Sequence, residues 1–288
     1  MNQPSLLRNA FTVDVEDYFQ AESFSGVIDR ALWDGFQCRV EKNTNVLLDI
    51  LDTKKIKGTF FILGWIAKRY PGLVNEISAR GHEVASHGMS HRLIYTQTIE
   101  EFRNETQESK KILEDIIGKE VIGYRAATYS ITRQSLWALD VLVEAGYLYD
   151  SSIFPMRHDR YGIHDANPYP GIISTPSGLT IVEFPISTYK TMGATIPVAG
   201  GGYFRLFPYF ITKFGLGMIN KAGHEFLFYM HPWEIDPKQP MVNGITRFAK
   251  FRHYNNLDRF ESRLNNLLDD FKFTTMSDVL TSLKLLGQ

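Results

Sequence analysis

Gly81-His82-Glu83-Val84-Ala85-Ser86-His87 decides how this chain is built. A helical pattern opening at Pro71 closes on Gly81, a residue suited to the left-handed turn after a helix, and His82 to Ser86 then reads as a strand. His87 therefore stands where a strand ends. Upstream, Gly58 to Gly64 reads as a buried strand, and the apolar run Ala10 to Val15 is followed by Val46, Leu47, Ile50 and Leu51 on one helical face.

The same alternation continues downstream. Thr98-Ile99-Glu100-Glu101 has the form of a capping box, opening a helix with Phe102, Leu113, Ile116 and Ile117 inward until Gly118. A strand is expected over Val121 to Ala126, and a helix capped by Thr132 with Leu136, Leu139, Leu142 and Val143 inward until Gly146. Tyr147-Leu148-Tyr149 then leads to the polar Asp150-Ser151-Ser152. Pro155 to Gly178 is expected to be a long loop or insertion, and Leu179 to Pro185 a strand. Gly200 to Arg205 opens a helical stretch, Glu225 to Met230 is the last clear buried strand, and Leu257 to Phe271 forms a strongly amphipathic helix. About seven βα units result, which places the chain in the α/β class, close to a complete parallel barrel.

With 288 residues, 44% of them hydrophobic, the chain can bury a large core, and one domain over 1–288 is expected. The 31 basic and 32 acidic residues nearly cancel, and no run of like charge resembles a nucleic-acid arm or a polybasic membrane patch. A nucleic-acid partner is not expected. Cys38 is the only cysteine, which excludes an internal disulfide and a thiolate-rich zinc site, and fits a reducing compartment. Met1 to Arg8 lacks a basic region followed by an apolar core, and no stretch approaches the ~20 apolar residues of a membrane span. A soluble, cytoplasmic protein without an integral membrane segment is the expectation.

In parallel βα barrels the residues just past each strand converge on one mouth. Here those residues are Asp14, Glu16, His87, His91, Arg125, Asp150 and His231. Carboxylates, imidazoles and a guanidinium together suit metal-assisted hydrolysis better than redox or phosphate-cradle chemistry. Asp14 and Glu16, two apart on an extended strand, face the same way while Asp17 points away. One of the pair can bind metal and the other act as base. Gly200-Gly201-Gly202 lacks the lysine and spacing of a phosphate-binding loop, so a tight turn or close backbone approach is expected there. Tyr203, Arg205 and Trp233 are candidate substrate contacts, being large groups that can pack against or bond a ligand.

Thr12-Val13-Asp14-Val15-Glu16-Asp17, Ser86-His87-Gly88-Met89-Ser90-His91, Gly123-Tyr124-Arg125-Ala126, the Asp150-Ser151-Ser152 region and Met230-His231-Pro232 resemble, in order, the five motifs of the polysaccharide deacetylases (NodB-like, carbohydrate esterase family 4). More narrowly, His231-Pro232-Trp233-Glu234-Ile235-Asp236-Pro237, Gly200 to Leu206 and Phe251 to Leu257 look like the deacetylases of exopolysaccharide, O-antigen or exosortase-linked systems. The resemblance implies a distorted seven-stranded parallel (β/α) barrel of the NodB-homology type, with 233–288 as a family-specific extension packed on it. It implies a divalent metal ion, zinc-like, held by Glu16, His87 and His91, with Asp14 as general base, Arg125 orienting that base and His231 as general acid. A backbone N–H near Tyr129 would stabilise the oxyanion, and Asp150 falls in the substrate-binding set with Tyr129, Tyr203, Arg205 and Trp233. Two departures stand out: Glu16 where most of the family has aspartate, and Ala126-Ala127 where a proline commonly follows the arginine.

The implied substrate and partner is an N-acetylated sugar or polysaccharide precursor used in surface-polysaccharide assembly. A cyclic-amide hydrolase of the allantoinase type would use the same metal chemistry, and a non-catalytic carbohydrate-binding protein would keep the barrel alone. The helix at Leu257 to Phe271 either covers the barrel or serves a homo-oligomer interface.

Overall fold

The computed structural model describes residues 7–158, 161–191 and 193–287; the leading Met1 to Leu6, read above for a targeting segment, lie outside them. The first strands are β1 (Asn9–Val15), β2 (Thr59–Ile62), β3 (Glu83–Ser86), β4 (Gly123–Tyr124) and β5 (Tyr149–Asp150). They are followed by β6 (Gly171–Ser174), β7 (Thr180–Glu183), β8 (Thr188–Thr191), β9 (Ala194–Pro197), β10 (Leu227–Met230) and β11 (Phe273–Thr274). One sheet runs in the order β10-β1-β2-β3-β4-β5-β7-β6, with β11 beside the start of β1. Its pairings are parallel except for the edge pair β6–β7. Every residue of β1 is buried, as a strand covered by helices on one face and by the site on the other must be.

The expected barrel is only partly realised. β10 and the β7–β6 pair stand at opposite ends of the strand order, and no strand pairing joins them among the described residues, so the sheet is a curled half-barrel. Part of the free edge of β10 is covered by irregular chain: the Tyr229 N–H donates to the Ala199 carbonyl at 2.8 Å and Gly200 bridges Tyr229. Gly200 has φ +128°, and a Cβ there would sit 1.9 Å from the Tyr229 carbonyl oxygen. Only glycine allows that approach, which accounts for the glycine run as close backbone packing.

Local signals held well elsewhere. The helix Ile99–Ile117 is closed by the expected reciprocal cap, with the Glu101 N–H donating to Thr98 Oγ1 (3.2 Å) and the Thr98 N–H to Glu101 Oε2 (2.8 Å). It ends at left-handed Gly118. Thr132, expected to cap the next helix, instead donates its N–H to Ser135 Oγ at 2.9 Å, and the helix begins later, at Trp137–Glu144. The expected loop Pro155 to Gly178 contains β6, whose Ile172 is 62% exposed on the sheet edge, and the hairpin β8–β9 was not anticipated. The amphipathic segment splits into a 3₁₀ turn, Leu257–Arg259, and the helix Phe260–Asp270, which buries Phe260, Leu264, Leu267 and Leu268. Its apolar face is spent inside the chain. No helix among the described residues is long and apolar enough to cross a membrane.

Candidate metal and active site

β1 delivers the two carboxylates. Asp14 and Glu16 are each 3% exposed and line one cleft with His87, His91, His231 and Trp233. The intervening Val15 is buried in the core, and Asp17 turns away, accepting N–H bonds from Tyr18 (2.8 Å), Arg39 (2.5 Å) and Val40 (2.8 Å). The alternation of side chains along an extended strand thus separates two cleft carboxylates from one structural carboxylate.

β3 delivers the imidazoles. His87 Nδ1 stands 2.8 Å from the Arg125 carbonyl, which makes it the N–H nitrogen and leaves Nε2 as a lone-pair donor. Burial, the largest influence, pushes the pKa of His87 down to about 4 and keeps the ring neutral. His91 reaches the same point because the loop doubles back: Gly88 has φ +75° and His91 itself φ +53°. Arg30 fastens that turn, donating from Nε to the Ser90 carbonyl and from Nη2 to the His91 carbonyl, both at 2.9 Å.

One ligand atom from each of Glu16, His87 and His91 lies within 4.8 Å of the others. Glu16 Oε2 is 2.9 Å from His91 Nε2, yet it is a buried oxygen with no aligned hydrogen-bond donor. A carboxylate oxygen and two imidazole nitrogens facing one point without hydrogen-bonding one another fit a divalent cation of the zinc type. Burial disfavours the charge on Glu16, but His91 and His231 outweigh it and hold the carboxyl at about 2.

Behind this set lies a fully buried guanidinium. Arg125 Nη1 donates to Asp14 Oδ1 at 2.7 Å and to Thr12 Oγ1 at 2.9 Å; Nε donates to the Ser151 carbonyl (3.2 Å) and Nη2 to Ser151 Oγ (3.0 Å). The group also lies 4.0 Å over the ring of Phe61. A charge this deep requires a partner and filled donors, and Asp14 with Ser151 provides them.

Asp150, expected against substrate, is elsewhere. It is fully buried, accepts from Ser152 Oγ at 2.5 Å, and neighbours Glu183, whose Oε1 accepts the Ile153 N–H at 2.9 Å. Burial raises Asp150 to about 6, and burial together with the neighbouring Asp150 pushes Glu183 upward as well. Asp150 buttresses the β5 end that grips Arg125, because the chain turns inward there.

On the far strand, His231 Nδ1 lies 3.1 Å from Glu234 Oε2 and Nε2 lies 3.4 Å from Glu16 Oε1. Burial works against its positive charge, but Glu16 and Glu234 overcome it and lift the pKa to about 9. Glu234 is itself held by Arg205, whose Nε donates at 2.7 Å and whose Nη1 donates to the His253 carbonyl at 2.7 Å. Arg205, expected as a sugar contact, is 3% exposed and lines the cleft, with Nε and Nη1 turned to these partners. It also supports Glu234.

Trp233 is also more deeply engaged than a surface platform: its ring stacks between His231 (centroids 5.0 Å) and His253 (4.2 Å). Tyr129 lines the cleft in a strained left-handed pair with Thr128, φ +53° and +54°, and its N–H donates to the Ala126 carbonyl at 3.1 Å. Tyr203 is half-buried on the helix Gly201–Leu206, in an adjoining groove. Glu234 and His253 were not singled out from the sequence. Glu234 had a local signal, lying three residues after His231 just past a strand; His253 had none.

Residues 32–149 match the family model of polysaccharide deacetylases, and residues 151–281 match a domain of unknown function, DUF3473. A peptidoglycan-N-acetylglucosamine deacetylase of Bacillus cereus is 37% identical over 78 residues, 27% of this chain and 29% of the relative. A chitooligosaccharide deacetylase of Rhizobium leguminosarum bv. trifolii is 31% identical over 99 residues, 34% of this chain and 43% of the relative. The match thus spans less than half the length of each. In fold, the chain superposes on the crystal structure of a proposed polysaccharide deacetylase from Mycobacterium smegmatis with TM-score 0.64, at 23% identity, over 100% of this chain and 95% of the other. PuuE allantoinase shares the fold with TM-score 0.60 at 14% identity, over 98% and 92%. In sequence, then, residues 32–149 are similar to the polysaccharide deacetylases and residues 151–281 to DUF3473.

Proposed function

We propose that this protein is a metal-dependent N-deacetylase that hydrolyses the acetamido group of an N-acetylated sugar during surface-polysaccharide biosynthesis. The observation that carries the reading is the meeting, in one cleft, of the Glu16, His87 and His91 donor set with Asp14 and His231. A divalent ion held by those three side chains would acidify a water and polarise the acetyl carbonyl. Asp14 accepts the proton of the attacking water, and Arg125, donating to Asp14 Oδ1, keeps that carboxylate aimed. His231 Nε2 protonates the departing sugar amine, while Glu234 at Nδ1 fixes the ring orientation. Glutamate at position 16 brings a carboxylate oxygen within 4.8 Å of a ring nitrogen of each histidine, which supports its role as the carboxylate ligand.

Both matched segments contribute strands to one sheet, β2 to β4 from the first and β6, β7, β10 and β11 from the second, with β1 ahead of both and paired to β2 and β10. That supports a single domain over 1–288 with 233–288 as an extension, and the His231-Pro232-Trp233-Glu234 stretch supports the narrower likeness to exopolysaccharide, O-antigen or exosortase-linked deacetylases. The test is metal analysis of purified protein together with acetate release from N-acetylglucosamine oligomers and nucleotide-linked N-acetyl sugars. One bound divalent ion, turnover abolished by chelator, and loss of turnover in Asp14→Asn are expected. Sugar binding without turnover, indifferent to Asp14→Asn, would overturn the assignment in favour of a binding protein.

A further inference from the structure

The catalytic cleft does not end at the metal ligands. A groove between the helix Gly201–Leu206 and the helix Arg247–Tyr254 opens directly from it, sharing Gly202, Tyr229 and Arg252 as common walls. Its outer half is formed by Leu206, Phe248 and Phe251, exposed by 46%, 68% and 52%. Large apolar side chains left in water beside a reaction site mark a surface that something covers. The helix that carries them reads Arg247-Phe248-Ala249-Lys250-Phe251-Arg252-His253-Tyr254, with three cations and no carboxylate. Arg252 stands at the junction of cleft and groove, its guanidinium 5.7 Å from the Phe248 ring centroid.

We propose that this groove binds a hydrocarbon chain joined to the substrate sugar through a phosphate, so that the substrate class is a lipid-phosphate-linked N-acetyl sugar. The proposal rests on the deacetylase reading for what happens in the cleft. The order of surfaces matches the order of groups in such a molecule: polar cleft for the sugar, Arg252 for the anionic linkage, then Leu206, Phe248 and Phe251 for the chain. A guanidinium suits phosphate by charge and by paired N–H donors. A neutral polysaccharide would want polar partners for its hydroxyls along the whole groove; Tyr203 and Asn255 stand on its wall, but Leu206, Phe248 and Phe251 present isobutyl and phenyl groups beside them. A nucleotide sugar has the phosphate but no chain to cover them.

The experiment compares kcat/KM for acetate release from four compounds carrying the same N-acetyl sugar: a dodecyl phosphate diester, a dodecyl glycoside, a nucleotide-linked sugar and a sugar hexamer. The lipid phosphate is expected to be preferred tenfold or more over the nucleotide-linked sugar and the hexamer. In Phe248→Ala/Phe251→Ala its advantage should fall toward unity, and Arg252→Gln should erase its advantage over the dodecyl glycoside. Both phenylalanines are exposed, so the fold does not depend on them. Dodecyl phosphate alone, titrated below its micelle concentration and followed by tryptophan fluorescence, should saturate wild-type protein and bind tenfold or more weakly to either variant. That readout separates the two claims: binding without acetate from any sugar would sustain the groove while refuting the deacetylase. Preference for the hexamer, equal losses on all four compounds in the variants, or no saturable binding of dodecyl phosphate would overturn the proposal.

Discussion

The buried pair Arg205–Glu234 offers a test in which stability and activity should part company. The two groups are 2.7 Å apart and 3% and 0% exposed, and Glu234 Oε2 also accepts the His231 main-chain N–H at 3.0 Å. Arg205→Met leaves Glu234 with His231 as its remaining charged partner, and an uncompensated buried charge costs about 3–5 kcal/mol. With about 2.1 cal/mol/K of unfolding entropy per residue over 288 residues, that corresponds to a fall in Tm of about 5–8 °C. In Arg205→Met/Glu234→Leu both charges are gone, and removing a whole buried pair is often close to neutral. The Arg205 bonds to the His253 and Asn255 carbonyls, at 2.7 and 3.2 Å, are still lost, at about 1 kcal/mol each. The double variant should therefore sit about 2 kcal/mol below wild type, less destabilised than either single change. Activity should not recover. Without the Glu234 carboxylate, His231 loses the group that orients it, and kcat should fall about 100-fold in both Glu234→Leu and the double variant. Thermal unfolding by circular dichroism and acetate release on the four proteins complete the cycle. A double variant as unstable as the sum of the singles, or one with wild-type kcat, would refute the relay.

Three further outcomes follow from particular contacts. His82, 5% exposed with Nδ1 accepting the Gly58 N–H at 3.1 Å, has its pKa pushed down by burial from 6.5 to about 4. The unfolded chain therefore binds the extra proton between those values, so stability declines as pH falls from 6.5 to 4, by about 2 kcal/mol after solvent screening. Urea unfolding across that range should show a slope that flattens in His82→Gln. Gly64→Ala places a Cβ 2.3 Å from Met89 Sδ, inside the turn between the two histidine ligands, and metal analysis should find a lower content in the purified variant. Arg125→Lys keeps the charge but loses the fork that spans Asp14, Thr12 and Ser151, at a cost of about 2–4 kcal/mol in stability; an unchanged Tm would contradict the buried network.

What the sequence disclosed follows the range of the forces involved. Helix caps and strand alternation act over a few residues, so Thr98 with Glu101, and Asp14 with Glu16, were readable by spacing. The edge strand β6 was not, because its exposed Ile172 and flanking glycine look like loop, and β8–β9 is a short hairpin with three of its eight strand residues exposed. The tie between Arg205 and Glu234 was hidden for a related reason: the partners are 29 residues apart, and nothing in composition reveals that an arginine meets a buried carboxylate. Asp150 shows the same limit, since a polar residue after an apolar run can turn toward the cleft or into the wall behind it.

The central strand carries a consequence for how the molecule comes into being. β1 and the residue just past it carry both cleft carboxylates, yet one of the strand's neighbours is β10, with Ala10 opposite Leu227. Synthesis from the N-terminus must release more than two hundred further residues before that register can form, so the nascent protein stays inert through most of its translation. Ladder closure between such distant segments also slows folding. A cut near the boundary of the two matched segments, around residue 150, should therefore yield halves that are silent apart and regain hydrolysis only on reassociation.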